Sequence, residues 1–173
     1  MSRGRAALVV FSLFVLHITL FAHVRPFGVA PDVMLLGAIM GGAMGGSNFG
    51  GRHGFICGML VDLMAPGPFG LAAGVYGAIG HGAGLFSQAV DSQDPRVGPL
   101  TAAIGSLLGV CGYGVGLAVL GTEQYVSLGL LRVAFVVAVI NVVLSFLVQQ
   151  AYAWIAAGSS TYARSAPAQS VVN

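Results

Sequence analysis

The chain contains no lysine; its positive charge rests on seven arginines and its negative charge on five acidic residues. Charged side chains make up 7% of the 173 residues, against about 25% in a typical soluble domain. So little charge cannot coat a water-facing body of this size, which argues against an ordinary soluble fold. The arginines stand singly, so no basic stripe of the kind that holds nucleic acid is formed. Cysteine is scarce too: Cys57 and Cys111 lie in separate apolar runs, with no C-x-x-C pairing for a metal or redox role, and are read as packing residues. Catalytic signatures are missing. There is no G-x-S-x-G elbow, no H-E-x-x-H, no phosphate-binding loop, and no pairing of acids with histidines at helical spacing. Ser12, Ser106 and Ser145 lie in apolar runs without a neighbouring base. The expectation is a non-enzymatic chain with no cofactor and no metal.

What the sequence has in quantity is apolar surface and glycine. Hydrophobic residues make up 57% of the chain, and the mean hydropathy is +0.91. Apolar runs recur from Ala6 almost to Ala157. They predict one integral membrane domain over residues 1–157 and a disordered cytoplasmic tail over 158–173. The first run resembles a signal peptide, with Arg3 and Arg5 ahead of it and Gly28-Val29-Ala30 behind. Its apolar stretch, residues 6–24, exceeds the ~7–15 residues of a signal h-region, and Pro31 obstructs cleavage after Ala30. It reads as a retained first span.

A helix crossing the hydrocarbon core needs about 20 apolar residues. Residues 6–24, 69–90, 99–120 and 132–152 meet this length. Residues 31–46 and 54–65 are shorter and are separated by the turn-rich "GGSNFGGRHG", which predicts a hairpin of two short helices. Arginine placement supports counting the hairpin as two spans, because cytoplasmic loops favour basic residues. Arg3, Arg5, Arg52, Arg96 and Arg164 then fall inside, and Arg25 and Arg132 outside, five against two. The expected fold is an all-α integral membrane protein: a compact six-helix transmembrane bundle in the cytoplasmic membrane, both termini cytoplasmic. Pro31, Pro68 and Pro99 sit near helix starts, where a missing N–H costs least.

The 27 glycines amount to more than twice the usual ~7%. In the fourth span Gly70, Gly74, Gly77 and Gly84 fall on one helical face, with His81 completing the stripe. Gly105, Gly109, Gly112 and Gly116 do the same in the fifth, and Gly37, Gly41 and Gly45 repeat every four residues in the second. Gly54 and Gly58 share that spacing in the third. Such stripes let helix backbones approach closely in lipid, within one bundle or toward a partner's helix, including a second copy of the chain.

Among the ionisable residues, Asp62 in "MLVDLMAPGPFG" sits three residues before the expected helix end at Ala65. The C-terminal end of a helix is partially negative, so a carboxylate there needs compensation. The start of the fourth helix, around Phe69 and Gly70, offers free N–H groups; Arg25 and Arg132 offer charge. Asp62 is expected to tie the third helix to the fourth across the Pro-Gly-Pro turn, with an arginine as a candidate addition. Of His17, His23, His53 and His81, only His81 is placed deep on a glycine face. Asn141 is expected to make an interhelical hydrogen bond, and Gln149 and Gln150 to lie near the cytoplasmic end.

The segments "PDVMLLGAIMGG" and "GFICGMLVDLMAPGPFGLAAGVYGAIGHGAG" resemble the rod shape-determining protein MreD family. The resemblance rests on Pro31, Asp32, Gly54, Gly58, Asp62, Leu63, Pro68, Gly70, Tyr76, Gly80 and Gly84, and covers about a third of the chain. His81 and the extra Pro66 depart from the pattern. The resemblance implies a membrane subunit of the bacterial cell-elongation machinery. Its partners would be MreC, MreB, a SEDS glycosyltransferase and a class B penicillin-binding protein. MreD proteins in turn resemble the substrate-binding subunits of energy-coupling-factor vitamin transporters, which makes transport the competing function. Those subunits commonly carry an Ala-x-x-x-Ala contact on the first helix, and "AALVVFSLFVLHITLFAHV" has none.

Overall fold

Pro31 and Asp32 start the helix around which the others are arranged. In the computed structural model, which describes residues 3–21, 24–90, 96–121 and 128–165, Oδ1 of Asp32 accepts from the Leu35 N–H at 2.9 Å and caps the helix Val33–Gly45. Six α-helices and no strand are formed among the described residues: α1 Arg3–Leu16, α2 Val33–Gly45, α3 Ser47–Met64, α4 Leu71–Ala89, α5 Val97–Val119 and α6 Leu128–Ser165. A π-turn, His17–Phe21, prolongs α1, and a 3-10 turn, Pro26–Gly28, precedes α2. All ten residues from Val33 to Gly42 are buried, and α2 touches each of the other five helices.

The expected hairpin is present, but its turn is far shorter than the glycine-rich segment suggested. Only Gly46, at φ +82°, separates α2 from α3, so "SNFGGRHG" is helical and Arg52 lies inside α3 rather than in a loop. The glycines read as turn residues serve helix contact instead. Gly50, Gly54 and Gly58 face the α4 backbone at Gly80, Tyr76 and Ala72, so closely that a β-carbon at any of them would overlap a carbonyl. At 13 residues, α2 rises only about 20 Å, and its last three residues are the partly exposed ones.

Among the described residues, two helical segments are long and apolar enough to cross a membrane: Val97–Val119 and Gly129–Ile155. α6 continues through Ser165, into the segment expected as a tail. Residues 166–173 of that tail lie outside the described residues, as does His23. Pro99 is accommodated in the first turn of α5.

The stripe read on α4 is partly displaced. Gly70 and Gly74 have nothing near the position a β-carbon would take, and at Gly77 a β-carbon would come 3.3 Å from the Gly51 carbonyl, less close than at Gly80 and Gly84. The packed row is Ala72, Tyr76, Gly80 and Gly84, with Gly84 against the backbone of Gly46 and Ser47. Ridges that repeat every four residues interdigitate along that row, whereas mixed spacings of 4, 3 and 7 drift off it. On α5 the expected stripe packs within the chain: Gly105 and Gly109 receive Ile39 and Leu35 of α2, and Gly116 receives Leu71 of α4. At the other end of the bundle Arg5 donates to the Trp154 carbonyl at 2.9 Å and lies 4.5 Å over its ring, pinning α1 to α6.

Candidate functional site

Gly70 stands at the N-cap of α4 with φ +94°, a backbone shape that suits glycine, and it has no side chain with which to cap. Asp62, in the last turn of α3, supplies the cap from the neighbouring helix. Its Oδ2 accepts from Gly70 N–H and Ala73 N–H, each at 3.0 Å, and its Oδ1 accepts from Ala72 N–H at 3.1 Å. The unfavourable position of a carboxylate at one helix C-terminus is thus offset by the N-terminus of the next. Pro68 shapes the approach, its carbonyl accepting from Leu71 N–H at 3.3 Å.

The tie between α3 and α4 is therefore as expected, but the arginine is not part of it. Among the described residues neither Arg25 nor Arg132 pairs with Asp62, and both are exposed. Three oriented N–H groups already occupy the carboxylate, so no cation is required.

A second polar knot joins four helices. The Tyr76 hydroxyl of α4 donates to Oδ2 of Asp32. Asn141 of α6, fully buried, donates from Nδ2 to the Asp32 carbonyl at 3.2 Å and to Ser106 Oγ of α5 at 2.9 Å. The interhelical role expected for Asn141 is what the geometry gives. Its Oδ1 is buried without a partner. Beside this knot lies a cavity of about 570 Å³, lined mainly by apolar residues of α2, α3, α5 and α6, with Asp32, Tyr76 and Tyr113 as its polar groups.

The histidines exchange roles relative to expectation. His81 is exposed, its Nδ1 3.2 Å from the Ser47 carbonyl, and so links α4 to the start of α3. His53 is the buried one. Its Nε2 bonds the Tyr152 hydroxyl, which donates to the Gly37 carbonyl at 2.9 Å, joining α3, α6 and α2. Phe49 stacks on the His53 ring with centroids 5.0 Å apart. Sequence reasoning missed His53 because the residues around it were read as a turn; the spacing of Phe49, His53 and Cys57 along one helical face was the available signal. Among the described residues no group of three His, Cys, Asp or Glu could hold a metal ion. The polar groups brought together here cap a helix, tie helices to one another and line a cavity.

Searches against protein-family models, curated proteins and solved structures find no match.

Proposed function

We propose that the chain is a non-enzymatic subunit embedded in the cytoplasmic membrane, of MreD type, that scaffolds a bacterial cell-elongation complex. Its partners would be MreC- and MreB-type proteins, a SEDS glycosyltransferase and a class B penicillin-binding protein. The observation that carries this reading is the Asp62 tie. Asp62, Gly70 and Tyr76, three residues of the resembling segment, meet within two adjoining polar contacts that fix α4 against α2 and α3. Membrane embedding is supported by the two spanning-length helices and by large apolar side chains facing outward, such as Phe135, Val143 and Leu147 on α6. In water such surfaces would be an aggregation liability. Scaffolding suits a chain whose buried polar groups are mostly spent on internal ties and whose outer faces are largely apolar. Depleting the protein from its cells tests the proposal: cell rounding with loss of lateral-wall synthesis is expected, and unchanged shape and wall synthesis would contradict it.

The cavity beside Asp32 favours a second reading, that of a substrate-binding subunit of an energy-coupling-factor transporter. Its volume of about 570 Å³ suits a small organic molecule. Loss of vitamin uptake without a change of shape on depletion would select this reading over scaffolding.

A further inference from the structure

An open groove of about 670 Å³ lies between α1 and α3, away from the Asp62 tie and the Asp32 cavity. Its α1 wall includes Val10, Phe11 and Phe14, and its α3 wall carries Ile56 and Leu60 beyond Arg52 and His53. The lining is polar at one end only. Arg52 is its single charged residue, and the His53 Nε2 there is already engaged by Tyr152. Arg52 is exposed and makes no hydrogen bond or ion pair with any described residue. From Arg52 to Leu60 the α3 wall rises about 12 Å, close to the ~15 Å depth of half a bilayer core.

The lining selects among occupants. Apart from Arg52 and His53 at one end, the groove is apolar along its length and open to the outside of the bundle. An extended hydrocarbon chain needs no polar partner along such a wall. A guanidinium at one end of such a slot complements a phosphate, which it can bind through two N–H groups at once. Arg52 lies in the second turn of α3, and the other arginines, Arg3, Arg5, Arg96 and Arg164 against Arg25 and Arg132, place that end of the helix toward the cytoplasmic leaflet, the one rich in anionic lipid.

We propose that the groove between α1 and α3 seats one phosphate-bearing anionic lipid, its headgroup on Arg52 and an acyl chain running toward Phe14 and Leu60. This site rests on the membrane reading given above, but not on the identity of the partners. The test is native mass spectrometry of the full chain, extracted from membranes and supplied with phosphatidylglycerol or phosphatidylcholine. One phosphatidylglycerol per chain should be retained in preference to phosphatidylcholine. Arg52→Gln should weaken that retention about tenfold, as expected for loss of a charge-assisted pair, and Arg52→Lys should restore part of it. Ala7→Trp, which fills the slot and keeps the arginine, should also displace the lipid. Inorganic phosphate should not compete, because it lacks the chain. Equal retention of both lipids, unchanged retention in Arg52→Gln, or displacement by inorganic phosphate would overturn the proposal. Recovery of the wild-type chain in the soluble fraction would instead overturn the membrane reading itself.

Discussion

Two regions of the bundle are built on opposite rules. In α2, α3 and α4, backbones meet where glycine removes the side chain: Gly42 and Gly50 face Gly80, and Gly54 and Gly58 face Tyr76 and Ala72. Polar ties then fix the register, through Asp62 at one end and Ser87, which donates to the Ala43 carbonyl at 2.6 Å, at the other. In α1 and α6 large side chains dominate, and α5 takes its neighbours' side chains into a glycine row; on all three helices many large apolar side chains point outward: Phe11 is 67% exposed, Val119 80% and Leu147 67%. α2 has little exposed surface, and apart from the wall it gives the cavity beside Asp32 its residues serve the packing of the other helices. The outer helices carry apolar surface that the chain does not bury, and on the membrane reading proposed above these are the surfaces open to lipid and partners.

The largest effect that would break this comparison is steric. Gly50→Val should fail to accumulate in membranes, because its side chain would enter the space held by the Gly80 carbonyl and Gly42. Both are backbone and cannot swing aside as a side chain would. Accumulation at the wild-type level, measured by immunoblot of the membrane fraction, would show that α3 and α4 do not meet as described.

Next is the tie itself. Asp62→Ala leaves three N–H groups at the start of α4 without their acceptor and should cost about 1–3 kcal/mol. The expected readout is a lower midpoint of thermal unfolding in detergent. Asp62→Asn should be intermediate, because the amide keeps one acceptor oxygen and loses the charge that favours the helix N-terminus. An Asp62→Asn chain that inserts, accumulates and functions like wild type would remove the tie from the explanation.

A smaller loss, about 1 kcal/mol, is expected for Tyr76→Phe, which removes one hydrogen bond to Asp32 while keeping the ring in place. Tyr152→Phe should act similarly, since it severs the link from His53 to the Gly37 carbonyl. Thermal unfolding of the two single variants and the double checks both. The bonds lie in separate knots, so their effects should add.

Much of the Asp62 tie was legible because it follows from local physics. An acid near a helix C-terminus needs a donor, and the next helix start, eight residues on at Gly70, is within reach. The Asn141 bond was legible for a similar reason, as a buried amide needs partners. The α2–α3 turn was not, because glycine has two uses with the same sequence signature. Gly46 supplies a left-handed turn, while Gly50 and Gly54, a few residues later, supply close helix contact. Only the position of α4 distinguishes them. Misplacing that turn moved Arg52 and His53 into a loop, and with them the groove against α1. The cavity beside Asp32 was equally out of reach, since its walls come from residues between 30 and 137 in the chain.

Gly80 and Gly82 provide the most direct test of a tight inner unit against an open outer face. They lie two residues apart on α4, and the same substitution can be made at each. A β-carbon at Gly80 would run into the Gly50 carbonyl and come within 3.0 Å of the Ala38 carbonyl, whereas one at Gly82 would meet nothing within 4 Å. Thermal unfolding of Gly80→Ala and Gly82→Ala in the same detergent should therefore diverge. Gly80→Ala is expected to lose about 1–3 kcal/mol, and Gly82→Ala to match or slightly exceed wild type, alanine being the better helix former. Equal midpoints, or a greater loss at Gly82, would contradict the division of the bundle into a backbone-packed core and an open periphery.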